Sequence, residues 1–94
     1  MGQVSLHAVV YGHVQGVYFR AFVENKATLL GLTGWVRNVE TEEAVEVLAE
    51  GEKETLDKLL AELKIGPLHS RVDRVETHLS KFTGKHSNFQ IKYF

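Results

Sequence analysis

The stretch Gly12-His13-Val14-Gln15-Gly16-Val17-Tyr18-Phe19-Arg20 gathers the residue types that bind a compact anion. Its two glycines permit positive φ and close backbone approach. No Ser, Thr, Asp or Asn stands at the expected N-cap of the helix that follows, so the first N–H groups of that helix lack a side-chain partner. Amides converging at a helix N-terminus attract negative charge, and Arg20 adds a fixed cationic fork suited to phosphate. The segment has neither the Gly-Lys-Ser/Thr ending of a Walker loop nor the G-x-G-x-x-G spacing of a dinucleotide fingerprint, so a nucleotide is not the expected anion. On these residues alone, a plain strand-to-helix connection with a surface arginine stands as an equal alternative.

Hydrophobic periodicity supplies the elements that must position this loop. Residues 3–11 alternate Val4, Leu6, Ala8 and Val10 against Gln3, Ser5 and His7, which predicts a half-buried strand, with residues 12–19 as the loop after it. Phe19, Phe22, Val23, Ala27 and Leu30 share a helical face that Gly31 ends. Trp35 to Val39 reads as a short strand, and residues 44–50 as another, with Val45, Val47 and Ala49 inward and Glu46 and Glu50 outward. Leu56, Leu59, Leu60 and Leu63 follow helical spacing between Glu52 and Glu54 at the start and Lys64 and Gly66-Pro67 at the end. A strand over about 71–79 alternates Val75, Thr77 and Leu79; Val72 has the wrong parity, which predicts a bulge near Asp73. Phe89, Ile91 and Tyr93 alternate in a final strand.

The order βαββαβ plus a C-terminal strand predicts an α+β, ferredoxin-like sandwich, an antiparallel sheet covered on one face by two helices. Right-handed crossovers make the first two strands parallel with the third between them. The 12–20 loop and Asn38 then meet at one edge of the sheet by topology alone.

Composition narrows the function classes. Eleven basic and twelve acidic residues in 94 give a net charge of −1, without the basic excess of a bulk nucleic-acid binder. An RNA-recognition module of the same order needs stacking aromatics on its first and third strands; the third, Ala44 to Glu50, has none and the first offers only Tyr11. With no cysteine there are no disulfides, thiolate metal sites or cysteine nucleophiles, and the five scattered histidines show no metal-ligand spacing. Neither a transmembrane run nor a signal peptide is visible, so the expectation is one cytoplasmic, monomeric domain over residues 1–94.

The loop segment resembles the acylphosphatase signature G-x-V-Q-G-V-x-F-R, and Gly34-Trp35-Val36-Arg37-Asn38 resembles the same family's second signature, Gly-aromatic-Val-basic-Asn. Ala49-Glu50-Gly51 and Gly66-Pro67 are similar too, so the resemblance spans essentially the whole chain. It implies hydrolysis of small-molecule acyl phosphates to a carboxylate and inorganic phosphate, with no metal and no cofactor. It assigns phosphate binding to Arg20 and water positioning to Asn38. The backbone from Val14 through Gln15, Gly16, Val17 and Tyr18 to Phe19 would then be the phosphate cradle. The alternative within the same fold is a non-catalytic anion-binding or regulatory domain.

The implied chemistry suits these side chains. A mixed anhydride expels a carboxylate, a weak base that needs no general acid. Phosphoryl transfer through a loose transition state depends mainly on positioning and charge stabilisation. An asparagine carboxamide can accept from and donate to a water, but cannot serve as a base near neutral pH. The chain departs from the family pattern after Asn38: where a glycine usually stands four residues on, it has Glu42, and the hairpin Val39-Glu40-Thr41-Glu42-Glu43-Ala44 is one residue longer and acidic. Glu40, Glu42 and Glu43 read as a solvated tip, His13 as an exposed loop residue and Trp35 as packing. Tyr18 either lines the acyl site or shields the loop.

Overall fold

The structure, a computed structural model, describes residues 2–93. Its elements are β1 (Gln3–His13), α1 (Phe19–Leu29), β2 (Thr33–Asn38), β3 (Ala44–Glu52), α2 (Lys53–Ile65), β4 (Arg71–Lys81) and β5 (Phe89–Lys92). The strands form one sheet in the order β4-β1-β3-β2-β5. β3 pairs antiparallel with both β1 and β2, so these two run parallel to each other as the crossover argument requires. β4 pairs antiparallel with β1.

The apolar halves of the strands fill one face. Leu6, Ala8 and Val10 of β1, Val45, Val47 and Ala49 of β3 and Val36 of β2 are buried under Phe19, Val23 and Ala27 of α1 and Leu56, Leu59 and Leu63 of α2. α1 lies over β2 and β5, and α2 over β4, β1 and β3. Burying a side chain of this kind contributes about 1.5–3 kcal/mol. The helical faces read from spacing are therefore the faces that pack. α1 ends in a Schellman arrangement, with Gly31 N–H donating to the Thr28 carbonyl and Leu32 N–H to the Ala27 carbonyl.

The parity break at Val72 is a bulge in the β1–β4 ladder: Tyr11 pairs with Arg74 and Gly12 with Val72, leaving Asp73 as the extra residue. Gly12 has φ 138°, and a Cβ there would collide with the Arg71 carbonyl. Beyond the bulge, His13 still pairs with Arg71, so pairing carries β1 two residues past the predicted end and shortens the connecting loop to residues 14–18.

β5 qualifies the antiparallel expectation: it pairs parallel with β2, Gly34 opposite Phe89 and Val36 opposite Ile91. β4 and β5 sit on opposite edges, so residues 82–88 cross the end of the sheet. There they cover Glu50, which the alternation placed outward towards water. It is on the helix-free face but only 1% exposed, accepting from the N–H groups of Thr83 (3.1 Å) and Gly84 (3.0 Å) and from the Thr83 hydroxyl (2.8 Å). Burial alone would raise its pKa, but the hydrogen bonds from Thr83, Gly84 and Ser5 outweigh that and hold it below the ordinary glutamate value.

Candidate functional site

The loop between β1 and α1 has a backbone that side-chain capping does not explain. Tyr18, at the N-cap of α1, takes φ 68°, and no side chain bonds the helix start. Gly16 takes φ 74° where nothing would obstruct a Cβ, so its glycine meets a conformational requirement, not a lack of space. A left-handed tyrosine costs on the order of 1 kcal/mol and persists only where its surroundings over-determine it. Phe19, 1% exposed in the core, is the anchor that fixes this entry into the helix. The N–H groups of Gly16, Val17, Tyr18 and Phe19 find no acceptor among the described residues.

A pocket of about 170 Å³ opens at this point. Val14, Gly16, Tyr18, Phe19 and Arg20 line it from the loop and first helical turn, Asn38 from the end of β2, and Ile91 and Tyr93 from the C-terminal strand and the residue after it. Asn38 shares its side of β2 with the buried Val36, which brings it to the helix-covered face beside the start of α1. The structure thus joins Arg20 and Asn38, far apart in sequence, at one edge of the sheet.

The pairing of the arginines sets Arg20 apart. Arg37 holds Glu46 at 2.7 Å, Arg71 holds Asp73 at 2.9 Å and Arg74 holds Glu76 at 3.1 Å. Arg20 has no carboxylate partner among the described residues; its guanidinium lies 4.9 Å from the Tyr93 ring centroid. Arg37 is next to Asn38 in sequence, yet alternation sends it to the helix-free face, where it also lies over Trp35. There Glu46 receives both Arg37 and His7 (2.6 Å); burial works to raise its pKa, and these two hydrogen bonds bring it below the ordinary value. The Asn38 carboxamide has no hydrogen-bond partner among the described residues and is half-buried.

The predicted cradle is one of backbone groups, and not every side chain in it faces the pocket. Val17 packs against the core. Gln15 turns to the hairpin after Asn38: its Nε2 donates to the carbonyls of Val39 and Ala44, both at 2.8 Å, and Glu42 at 3.2 Å, while its backbone N–H donates to Glu43 Oε2 at 3.0 Å. Glu43 is therefore exposed but engaged, which corrects its reading as a solvated tip. Tyr18 lines the pocket and is 73% exposed, so it stands at the rim. His13 is exposed at the end of β1 and does not line the pocket. Ile91 and Tyr93 are site residues that motif reading missed: alternation indicated their strand, but nothing local indicates that it docks parallel to β2.

Among the described residues no group of three or more His, Asp or Glu is gathered for a metal ion, and no helix is long and apolar enough to cross a membrane.

The chain and its fold have counterparts among known proteins. The acylphosphatase family profile matches residues 6–91. The chain is 48% identical to an acylphosphatase of Dehalococcoides mccartyi over 88 residues, which is 94% of this chain and 97% of that one. The crystal structure of an acylphosphatase from Bacillus subtilis superposes with a TM-score of 0.91 at 36% identity, covering 96% of this chain and 99% of that chain. Full-length HypF, solved in a phosphate- and nucleotide-bound form, matches at 27% identity with a TM-score of 0.86, but only over 12% of its length.

Proposed function

The chain belongs to the acylphosphatase family, and from that premise we propose that Arg20, the loop amides and Asn38 together hydrolyse a carboxyl-phosphate mixed anhydride by in-line attack of water. The observation that carries this reading is the pairing within one pocket of a cation without a carboxylate and a carboxamide without a partner, both among the described residues. Arg20 and the N–H groups from Gly16 to Phe19 hold the equatorial phosphoryl oxygens as charge spreads over them. Asn38 accepts a hydrogen bond from the incoming water through Oδ1 and aims its oxygen at phosphorus opposite the carboxylate. The new bond joins the water oxygen to phosphorus, and the phosphorus–carboxylate oxygen bond breaks. The carboxylate leaves with the electron pair, and the water proton passes to an oxygen of the transferred phosphoryl group.

No step in this sequence calls for a Lewis acid, because the leaving group is already a weak base and Arg20 supplies the positive charge. The exposed rim at Tyr18 leaves the acyl portion of the substrate near solvent, which favours small acyl phosphates of loosely specified shape. Hydrolysis of benzoyl phosphate in excess chelator tests the proposal; turnover at the rate seen without chelator is the expected result. A folded protein that binds inorganic phosphate but does not turn over would favour the second reading, a non-catalytic anion-binding domain. The likeness to a small part of HypF is the observation on that side.

A further inference from the structure

Resting on the reading above, we propose that Glu43 is a positioning residue for the phosphate loop, which it locks to the hairpin that Asn38 opens. The hairpin is closed by Val39 N–H donating to the Ala44 carbonyl at 3.0 Å. Gln15 sits at that mouth, its carboxamide donating to the Val39 and Ala44 carbonyls. A single side chain from the loop thus grips both sides of the hairpin one residue from Asn38.

Glu43 completes the grip from the other partner. Its carbonyl accepts from Gly12 N–H at 3.4 Å, prolonging the β1–β3 ladder towards the loop, and its carboxylate accepts the backbone N–H of Gln15 at 3.0 Å. Gln15 is therefore held at both its side chain and its backbone. The next residue, Gly16, has a positive φ and no steric restraint on its Cα, so the peptide between them is where the loop would most easily swing. Holding the Gln15 N–H fixes the preceding Val14–Gln15 peptide, and with the bonded side chain it anchors the Gln15 Cα from which that swing would start.

The departure from the family pattern fits this role. The hairpin is one residue longer and carries Glu42 in place of the usual glycine, and the carboxylate of the next residue, Glu43, reaches the loop. A negative charge beside an anion pocket would ordinarily be unfavourable. Glu43 is exposed, where water screens it, and its hydrogen-bond partner is not a residue that lines the pocket.

The test compares the wild type with Glu43→Ala and Glu43→Gln, reading kcat, KM and the inhibition constant of inorganic phosphate, with thermal melting as a fold control. Glu43→Ala should weaken phosphate inhibition and raise KM by roughly fivefold, the size of one lost hydrogen bond. Glu43→Gln, which retains an acceptor oxygen on the same stem, should restore both to within about twofold by the same reasoning. Unchanged phosphate inhibition in Glu43→Ala would overturn the proposal, as would tighter inhibition, which would make the carboxylate a competitor for the site. A Glu43→Gln protein as weak as Glu43→Ala would overturn the role assigned to the acceptor. Phosphate affinity can also be read by calorimetry, so failure of the wild type to turn over would count against the catalytic reading and leave this comparison intact.

Discussion

At the Glu50 end of β3, the N–H groups of Thr83 and Gly84 close on a carboxylate supplied by the chain. Near the Val45 end, five residues and roughly 17 Å along the strand, the N–H groups from Gly16 to Phe19 receive no acceptor from the described residues, and Arg20 beside them receives no carboxylate. Both regions gather donors around a position fit for an anion. The first is satisfied internally and so is a structural tie, pinning the 82–88 crossing to the centre of the sheet. In the function proposed above, the second keeps its donors for a bound phosphoryl group. Gln15 lies on the boundary between these cases, a loop amide that Glu43 has taken. Whether an internal acceptor is present therefore distinguishes a stabilising anion site from a binding one, although the donor chemistry is shared.

The comparison breaks most sharply at Arg20. Arg20→Ala should lower kcat/KM for benzoyl phosphate by about 10³-fold or more, with the melting temperature close to wild type because Arg20 has no carboxylate partner among the described residues. A loss below tenfold would mean that the unpaired cation is not the clamp. Asn38→Ala should reduce kcat by about 10²-fold through misplacement of the water, while inhibition by phosphate stays within about twofold of wild type. Weaker phosphate inhibition with kcat preserved would reverse the roles assigned to the two residues.

At the opposite end the expected loss is in stability. Glu50→Ala leaves the donors of Thr83, Gly84 and Ser5 without their carboxylate, and urea unfolding at neutral pH should show a loss of about 2 kcal/mol. Turnover per folded molecule should not change. Because Glu50 is held below its ordinary pKa, its contribution is complete above the unfolded value of about 4.3 and disappears as the pH falls through the lower folded value. Between pH 6 and pH 3 the wild type should therefore lose more stability than Glu50→Gln, and equal acid slopes would refute the assignment. This is the smallest of the four effects, a difference in slope to which Glu46, also held low, contributes equally in both proteins, so that it isolates Glu50.

Much of this was legible because the local signals agree with one another. Val72 breaks the parity of its strand and so marks the bulge, which the structure sets opposite Gly12 at the end of β1. The leucines of α2 and the apolar face of α1 indicate which sides bury, and the missing cap before Phe19 indicates donors to spare. Three features were not legible. Glu50 alternates outward like Glu46 and has the same local pattern, yet one is sealed by a distant crossing segment and the other is not. Glu43 looks like any acid at a turn until the loop is packed beside it. Tyr93 directly follows a strand, β5, whose partner no nearby residue specifies.

The sequence by itself determined the elements, the face each side chain occupies, the bulge, the uncapped helix start and, through its two matched signatures, the family. These depend on periods and spacings within a few residues of each other. The tertiary structure decided that β5 lies parallel to β2 and brings Ile91 and Tyr93 to the pocket, that Glu50 is internal, that Arg37 has a carboxylate while Arg20 has none among the described residues, and that Glu43 takes the Gln15 amide. Each of these is a choice of partner between groups distant in the chain, and such choices are made only when the whole sheet and its crossings compete for the same donors and acceptors.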